Sequence, residues 1–205
     1  MQRRGNLPTI EYYFSVISPY TYLAGERLSD IAARHSADVI YRPLDVAALF
    51  ARTGGVVPKE RHISRREYRL QELTRQAKKV NLPINLNPAH WPTNQAPASY
   101  AFIAAKNSGG GDLGTLVHAM TRACWAQDRN IAEDDVIRDC LAAAGFDPAL
   151  AAGGLLQGAE EYAANLEAAV DAGAFGAPFF IVDGDQRFWG QDWLDDLDAH
   201  LSGAI

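Results

Sequence analysis

The chain has 205 residues, 48% hydrophobic and 21% charged, enough for one large folded domain or one domain with a sizeable insertion. Its formal charge of −6 argues against general nucleic-acid binding. No run of about 18 apolar residues is long enough for a membrane span, and no apolar stretch follows Arg3-Arg4 as a secretory leader requires. These features predict a cytoplasmic protein with neither nucleic acid nor membrane as partner.

In chain order, Thr9 to Val16 is rich in Ile, Tyr, Phe and Val and reads as a buried strand. Ser18 then stands where a helix N-cap belongs and Pro19 where the first helical residue belongs. Tyr20, Leu23, Ala24, Leu28 and Ile31 recur at helical spacing, which predicts one helix ending near Arg34-His35. Asp38 to Arg42 offers a second strand, stopped by Pro43. Such a strand–helix–strand unit makes a parallel pair.

The middle reads as helical. Ser64-Arg-Arg-Glu67 has the form of a capping box, followed by Leu70, Leu73, Ala77 and Val80 on one face. Residues 81–97 hold four prolines and four asparagines and are expected to be an irregular loop. Helical patterns return at about 98–107, 113–126, 133–144 and 158–172. Phe179 to Val182 reads as a strand, Asp183-Gly184 as a hairpin turn and Gln186 to Trp189 as the returning strand. Leu194, Leu197 and Leu201 mark a last helix. This order predicts an α/β protein with a thioredoxin-like fold: a βαβ unit and a ββα unit interrupted by an all-helical insertion. The expected division is 8–45 plus 174–205 for the discontinuous thioredoxin-like domain and 46–173 for the insertion.

Cys124 and Cys140, sixteen positions apart, match no zinc or Cys-x-x-Cys pattern and are read as buried thiols; no metal site is expected. Between Lys59 and Lys79 eight basic residues face three acidic ones, a local excess of +5 in an acidic protein. Most of that run reads as a solvated helix face; one or two of its cations would steer an anionic small molecule.

Three segments carry chemistry. Ser18 sits where a thioredoxin-type protein has its first cysteine, at a helix N-terminus that favours negative charge. It serves either as a cap alone or as a hydroxyl that solvates a ligand's thiolate. Ala177-Pro178 precedes the last hairpin; in a thioredoxin-like fold this proline is cis, and the residue before it pairs with an extended peptide. Glutathione is such a peptide with a central thiol. Trp189-Gly190-Gln191-Asp192 opens the last helix and either caps it or holds the ends of a γ-glutamyl unit.

Together, 12-YYFSVISPYTYLAGERL-28, 39-VIYRPLDVAALF-50, 81-NLPINLNP-88 and 175-FGAPFFIVDGDQRFWGQDWL-194 resemble the 2-hydroxychromene-2-carboxylate isomerase family. That family is related to kappa-class glutathione transferases and DsbA-type oxidoreductases. The resemblance implies a homodimer that binds glutathione as cofactor, its thiol on Ser18, its cysteinyl backbone on Ala177-Pro178 and its γ-glutamyl group on Gly190, Gln191 and Asp192. It also implies a cis–trans isomerisation between a cyclic chromene carboxylate and trans-o-hydroxybenzylidenepyruvate in aromatic catabolism. A thiolate adds to a conjugated carbon, the former double bond rotates and the thiolate leaves.

The chain departs from the family pattern in two places. Gln191-Asp192-Trp193 stands where Asn-Asp-Arg is frequent. Phe50 stands near a lysine of the naphthalene-pathway enzymes, so Arg52 or Lys59 is expected to meet the substrate carboxylate. Asn87, His90, Trp91 and Asn94 are expected to wall the substrate pocket. Two other readings are a kappa-like transferase acting on other electrophiles, and a redox-inactive thioredoxin-like module that binds extended peptides.

Overall fold

The computed structural model describes residues 7–153 and 155–205. Strands β1 (Thr9–Phe14) and β2 (Asp38–Pro43) pair in parallel, with Thr9 opposite Asp38 and Phe14 opposite Pro43. The crossover holds two helices, α1 (Pro19–Ala24) and α2 (Arg27–His35), where the periodicity predicts one. Gly25 breaks the run at φ 58 and ψ −141, its N–H returning to the Tyr22 carbonyl at 3.0 Å. A residue with a Cβ pays heavily for such a backbone, whereas glycine adopts it freely.

A helix absent from the expectation, α3 (Val46–Thr53), follows β2 and is N-capped by Asp45, whose carboxylate accepts from the Ala47 and Ala48 N–H groups. The next helix, α4 (Ile63–Lys79), starts before the expected capping box. His62 is the N-cap residue, and Ser64, displaced into the first turn, donates its N–H to His62 Nδ1 at 3.4 Å. Then come α5 (Ala96–Ser108), α6 (Leu113–Trp125), α7 (Asp134–Ala143) and α8 (Leu155–Asp171). The chain closes with β3 (Phe179–Val182), β4 (Gln186–Trp189), a 3-10 turn at Gln191–Trp193 and α9 (Leu194–Leu201).

The sheet has strand order β2-β1-β3-β4, with β3 antiparallel to both β1 and β4. Alternation along the strands divides the core between two faces. Ile10, Tyr12, Phe14, Phe180 and Val182 point into a large cluster shared with Tyr22, Phe102, Leu116 and Leu197. Tyr13, Phe179 and Ile181 point the other way, onto Leu44, Leu49 and Ala169. Tyr12 stacks on Phe180 at 4.9 Å, and Phe14 meets Phe102 edge-on at 5.1 Å. The helices between 46 and 171 therefore cover both faces of the sheet and share its core. Cys124 and Cys140 are free and buried within it.

Buried polar contacts fix the end of β1. Ser15 Oγ donates to Gln95 Oε1 at 2.7 Å, and Gln95 Nε2 donates to Asp45 at 3.2 Å, tying the strand end to α5 and the start of α3. Satisfied networks of this kind hold a single arrangement because any shift leaves a buried polar group unpaired.

Candidate active site

Beyond Phe14 the chain turns through Ser15–Ser18, with the Ser18 N–H donating to the Ser15 carbonyl at 3.0 Å. The Ile17 carbonyl accepts two indole N–H groups, from Trp91 at 3.0 Å and Trp125 at 3.2 Å. The peptide before Ser18 is thus held by helix α6 and by the proline-rich loop.

Ser18 is 7% exposed and extended (φ −83, ψ 125), the backbone of an N-cap. Its Oγ accepts from the Thr21 N–H at 3.2 Å and donates to the Ala177 carbonyl at 3.1 Å. It is a cap and also a contact across 159 residues of sequence. The Ala177–Pro178 peptide is cis. The Pro178 carbonyl accepts from the Gly190 N–H at 3.0 Å, which brings the third segment alongside. Gly190 has φ 101, and a Cβ there would lie 2.5 Å from Asp192 Oδ1, so this position requires glycine.

That turn sends its two polar side chains in different directions. Gln191 is 2% exposed, its Oε1 buried without a donor among the described residues and its main-chain carbonyl taken by Arg27 at 2.7 Å. Asp192 is exposed. Thr21 is also buried, its Oγ1 without a partner among the described residues.

A cleft of about 390 Å³ opens beside these segments, between the α3–α4 connection and the approaches to the sheet. Phe50, Val56, Phe175 and Trp189 form its apolar walls; Glu60, Arg61, His62 and Arg65 form its polar side. Phe175 and Trp189 meet edge-on at 4.9 Å. The Trp189 indole nitrogen packs against Gly176, where a Cβ would come within 2.3 Å of it, and the cleft wall reaches Phe175, two residues before Ala177. Gly55 accommodates the Phe50 ring in the same way. Arg61 donates from Nε to the Val56 carbonyl at 2.7 Å and lies over Phe50 at 5.7 Å. Burial pushes its pKa below the ordinary arginine value.

The structure redistributes the expected substrate residues. Phe50 lines the cleft. Arg52 does not face it: its guanidinium forms a two-pronged contact with Glu167 of α8 at 2.8 and 3.1 Å on the surface. Lys59 is exposed and outside the cleft lining. Asn87, His90 and Asn94 are exposed on the loop; Asn87 donates its N–H to Asn85, and Asn94 accepts the Ala96 N–H at the start of α5. None of the three lines the cleft. Trp91 packs on Trp125 at 5.4 Å and reaches the Ser18 turn through its N–H. Sequence reasoning missed Arg61, Phe175 and Trp189. The signals for them were the local basic excess and the aromatic residues flanking Gly-Ala-Pro and Gly-Gln-Asp.

The model of the DSBA-like thioredoxin domain matches residues 9–202. The 2-hydroxychromene-2-carboxylate isomerase of Sphingobium xenophagum is 30% identical over 200 residues, covering 94% of this chain and 97% of that one. A solved 2-hydroxychromene-2-carboxylate isomerase superposes with a TM-score of 0.79 at 24% identity, covering 96% of this chain and 95% of the other. The cytosolic disulfide reductase DsbM of Pseudomonas aeruginosa with GSH superposes with a TM-score of 0.69 at 20% identity, covering 96% and 98%. The chain belongs to the DsbA-like thioredoxin-domain family and, within it, to the 2-hydroxychromene-2-carboxylate isomerases.

Proposed function

We propose that the chain is a glutathione-dependent cis–trans isomerase that interconverts 2-hydroxychromene-2-carboxylate and trans-o-hydroxybenzylidenepyruvate. The observation that carries this reading is the buried Ser18 hydroxyl, aimed at the Ala177 carbonyl beside a cis-proline. Neither Ser18 nor Thr21 brings a sulfur, so the ligand must supply it. The residues present fit a γ-glutamyl-cysteinyl ligand: a hydroxyl at the thiol position, a carbonyl for the cysteinyl N–H, and an exposed Asp192 for the ammonium. Gln191, with its side chain turned inward, serves this end through its backbone. The isomerase of S. xenophagum and the DsbM structure with GSH support the reaction and the cofactor respectively.

When bound, glutathione would supply the thiolate that adds to and leaves a conjugated carbon, so that the double bond rotates between the two steps. The Ser18 hydroxyl, which now donates to the Ala177 carbonyl, would instead donate to the ligand's sulfur, and the freed Ala177 carbonyl would accept the cysteinyl N–H. The aromatic cleft holds the planar substrate ring and excludes water, while Arg61 meets the carboxylate. Arg61 thus takes the role expected of Arg52 or Lys59. A homodimer in the cytoplasm belongs to the same proposal, with sedimentation at micromolar protein as its check.

Calorimetric titration with reduced and oxidised glutathione, followed by an isomerisation assay, tests the reading. Selective binding of the reduced form and interconversion without net consumption of thiol are expected. Accumulating conjugates would make the protein a kappa-like transferase. Absence of binding at millimolar ligand would leave a peptide-binding module. Reduction of insulin disulfides by the protein would contradict a site without sulfur.

A further inference from the structure

Arg69 stands on the second turn of α4 with its guanidinium 5.3 Å from the Trp91 ring centroid and 5.8 Å from that of Trp125. Both indoles direct their N–H groups to the Ile17 carbonyl, in the peptide that leads into Ser18. The cation is therefore one indole ring away from the thiol position. It is partly buried, and among the described residues no carboxylate comes within ion-pair distance of it. Arg65, one helical turn earlier on the same face, adds like charge, an arrangement unfavourable to an isolated helix.

Tyr20, Glu72 and Arg61 complete its charged and titratable surroundings. Glu72 accepts the Tyr20 hydroxyl at 2.8 Å and forms no ion pair with Arg69, though its charge still acts on that guanidinium, and burial raises the Tyr20 pKa and keeps that phenol neutral. Two guanidinium groups thus face one carboxylate. Stacking on indole faces compensates only part of the cost of withdrawing a cation from water.

Helix α1 strengthens the need for a second charge. It has six residues, since Gly25 ends it, and offers a short macrodipole to an anion at its start. Resting on the reading that a ligand thiol sits at Ser18, we propose that Arg69 supplies the positive charge that lowers that thiol's pKa. It acts through its field across the Trp91–Trp125 pair, without touching the sulfur. Coulomb's law over roughly 10 Å, at an effective dielectric of about 20, gives a shift of about one pKa unit.

The test is an ultraviolet thiolate titration of reduced glutathione bound to the full-length protein, for wild type, Arg69→Gln and Arg69→Lys, with binding to each verified by calorimetry. Arg69→Gln is expected to raise the bound thiol's pKa by about one unit, which is about tenfold less thiolate at a pH below both values. Arg69→Lys is expected to keep most of the wild-type value, because it keeps the charge. A Gln variant that titrates as wild type overturns the proposal and leaves the glutathione reading intact. Equal rises in both variants also overturn it, by showing that stacking geometry and not charge is what matters. Wild-type protein that fails to bind reduced glutathione removes the parent reading before Arg69 is reached.

Discussion

Replacing Ser18 by alanine separates the two roles of its hydroxyl. As a cap, Oγ accepts the Thr21 N–H at 3.2 Å, and loss of such a cap costs about 1 kcal/mol. The Ala177 carbonyl, buried and deprived of its donor at 3.1 Å, adds a penalty of about 1 kcal/mol or more. A stability loss of about 2 kcal/mol is expected, measurable as a lower urea midpoint. As a thiolate donor, the hydroxyl makes a hydrogen bond to a charged group, worth about 1.5–3 kcal/mol. At about 1.36 kcal/mol per unit, its loss raises the bound thiol's pKa by about one to two units. Turnover falls about 10- to 100-fold at a pH below both thiol pKa values, and by less at neutral pH, through the lost thiolate. Ultraviolet titration of the thiolate in the complex reads the second effect alone, at denaturant-free conditions where both proteins are folded. A variant with the lowered urea midpoint but a wild-type thiol pKa would reduce Ser18 to a helix cap and refute the catalytic argument.

Arg61→Gln is expected to raise KM for the carboxylate substrate about 10- to 100-fold, the range for one charge-assisted hydrogen bond, with Arg61→Lys intermediate; an unchanged KM would move the carboxylate elsewhere. Arg52→Gln is expected to leave steady-state kinetics as in wild type, because its guanidinium is engaged by Glu167 outside the cleft; a raised KM would restore the role first expected of it. Burial pushes the Cys140 thiol up to about 11 and Cys124 up to about 12, so neither is expected to be alkylated in the native protein near pH 8, and stoichiometric labelling would contradict the packing. The same burial sets a pH dependence. The unfolded chain releases these protons from about pH 8.5 while the folded chain retains them, so stability declines as pH rises from about 8.5 through about 11. A urea midpoint that increases between pH 8 and pH 10 would reverse that sign.

Much of this was readable along the chain, for reasons that can be located. The four strand runs were legible because each holds β-branched or aromatic residues and is bounded by Pro or Gly. Ser18-Pro19 was legible as a helix start because cap preference and proline's fixed φ coincide there. The break at Gly25 was hidden by Leu28 and Ile31, which continue the helical period beyond it. Helix α3 escaped notice because Leu49 is its only fully buried residue, leaving little periodic signal. Within the site, the inward turn of Gln191 follows from the positive φ of Gly190, which no side-chain pattern reports. The cleft depends on the Trp189 indole edge packing against Gly176 and on Arg61 lying over Phe50, both products of tertiary packing. Arg52 and Arg61 look equivalent on paper; Glu167, 115 residues further on, separates them.

The hydroxyl at position 18 suits a reversible addition better than a cysteine would. A cysteine there would compete with the ligand's sulfur as nucleophile, and with a disulfide ligand it would exchange into a mixed disulfide. A serine hydroxyl is too weak an acid to do either, yet its proton still makes a hydrogen bond to a thiolate. In this structure that proton rests on the Ala177 carbonyl, so the unliganded site satisfies its own donor and acceptor. In the proposed complex, glutathione would exchange that one internal hydrogen bond for two, from Ser18 to sulfur and from the cysteinyl N–H to Ala177. The exchange leaves no buried polar group unpaired in either state, which is where the larger penalties lie. A disulfide sulfur offers no negative charge for the Ser18 proton and gains only the second bond. On the proposed reading, selectivity for the reduced ligand would follow from where one serine proton can go.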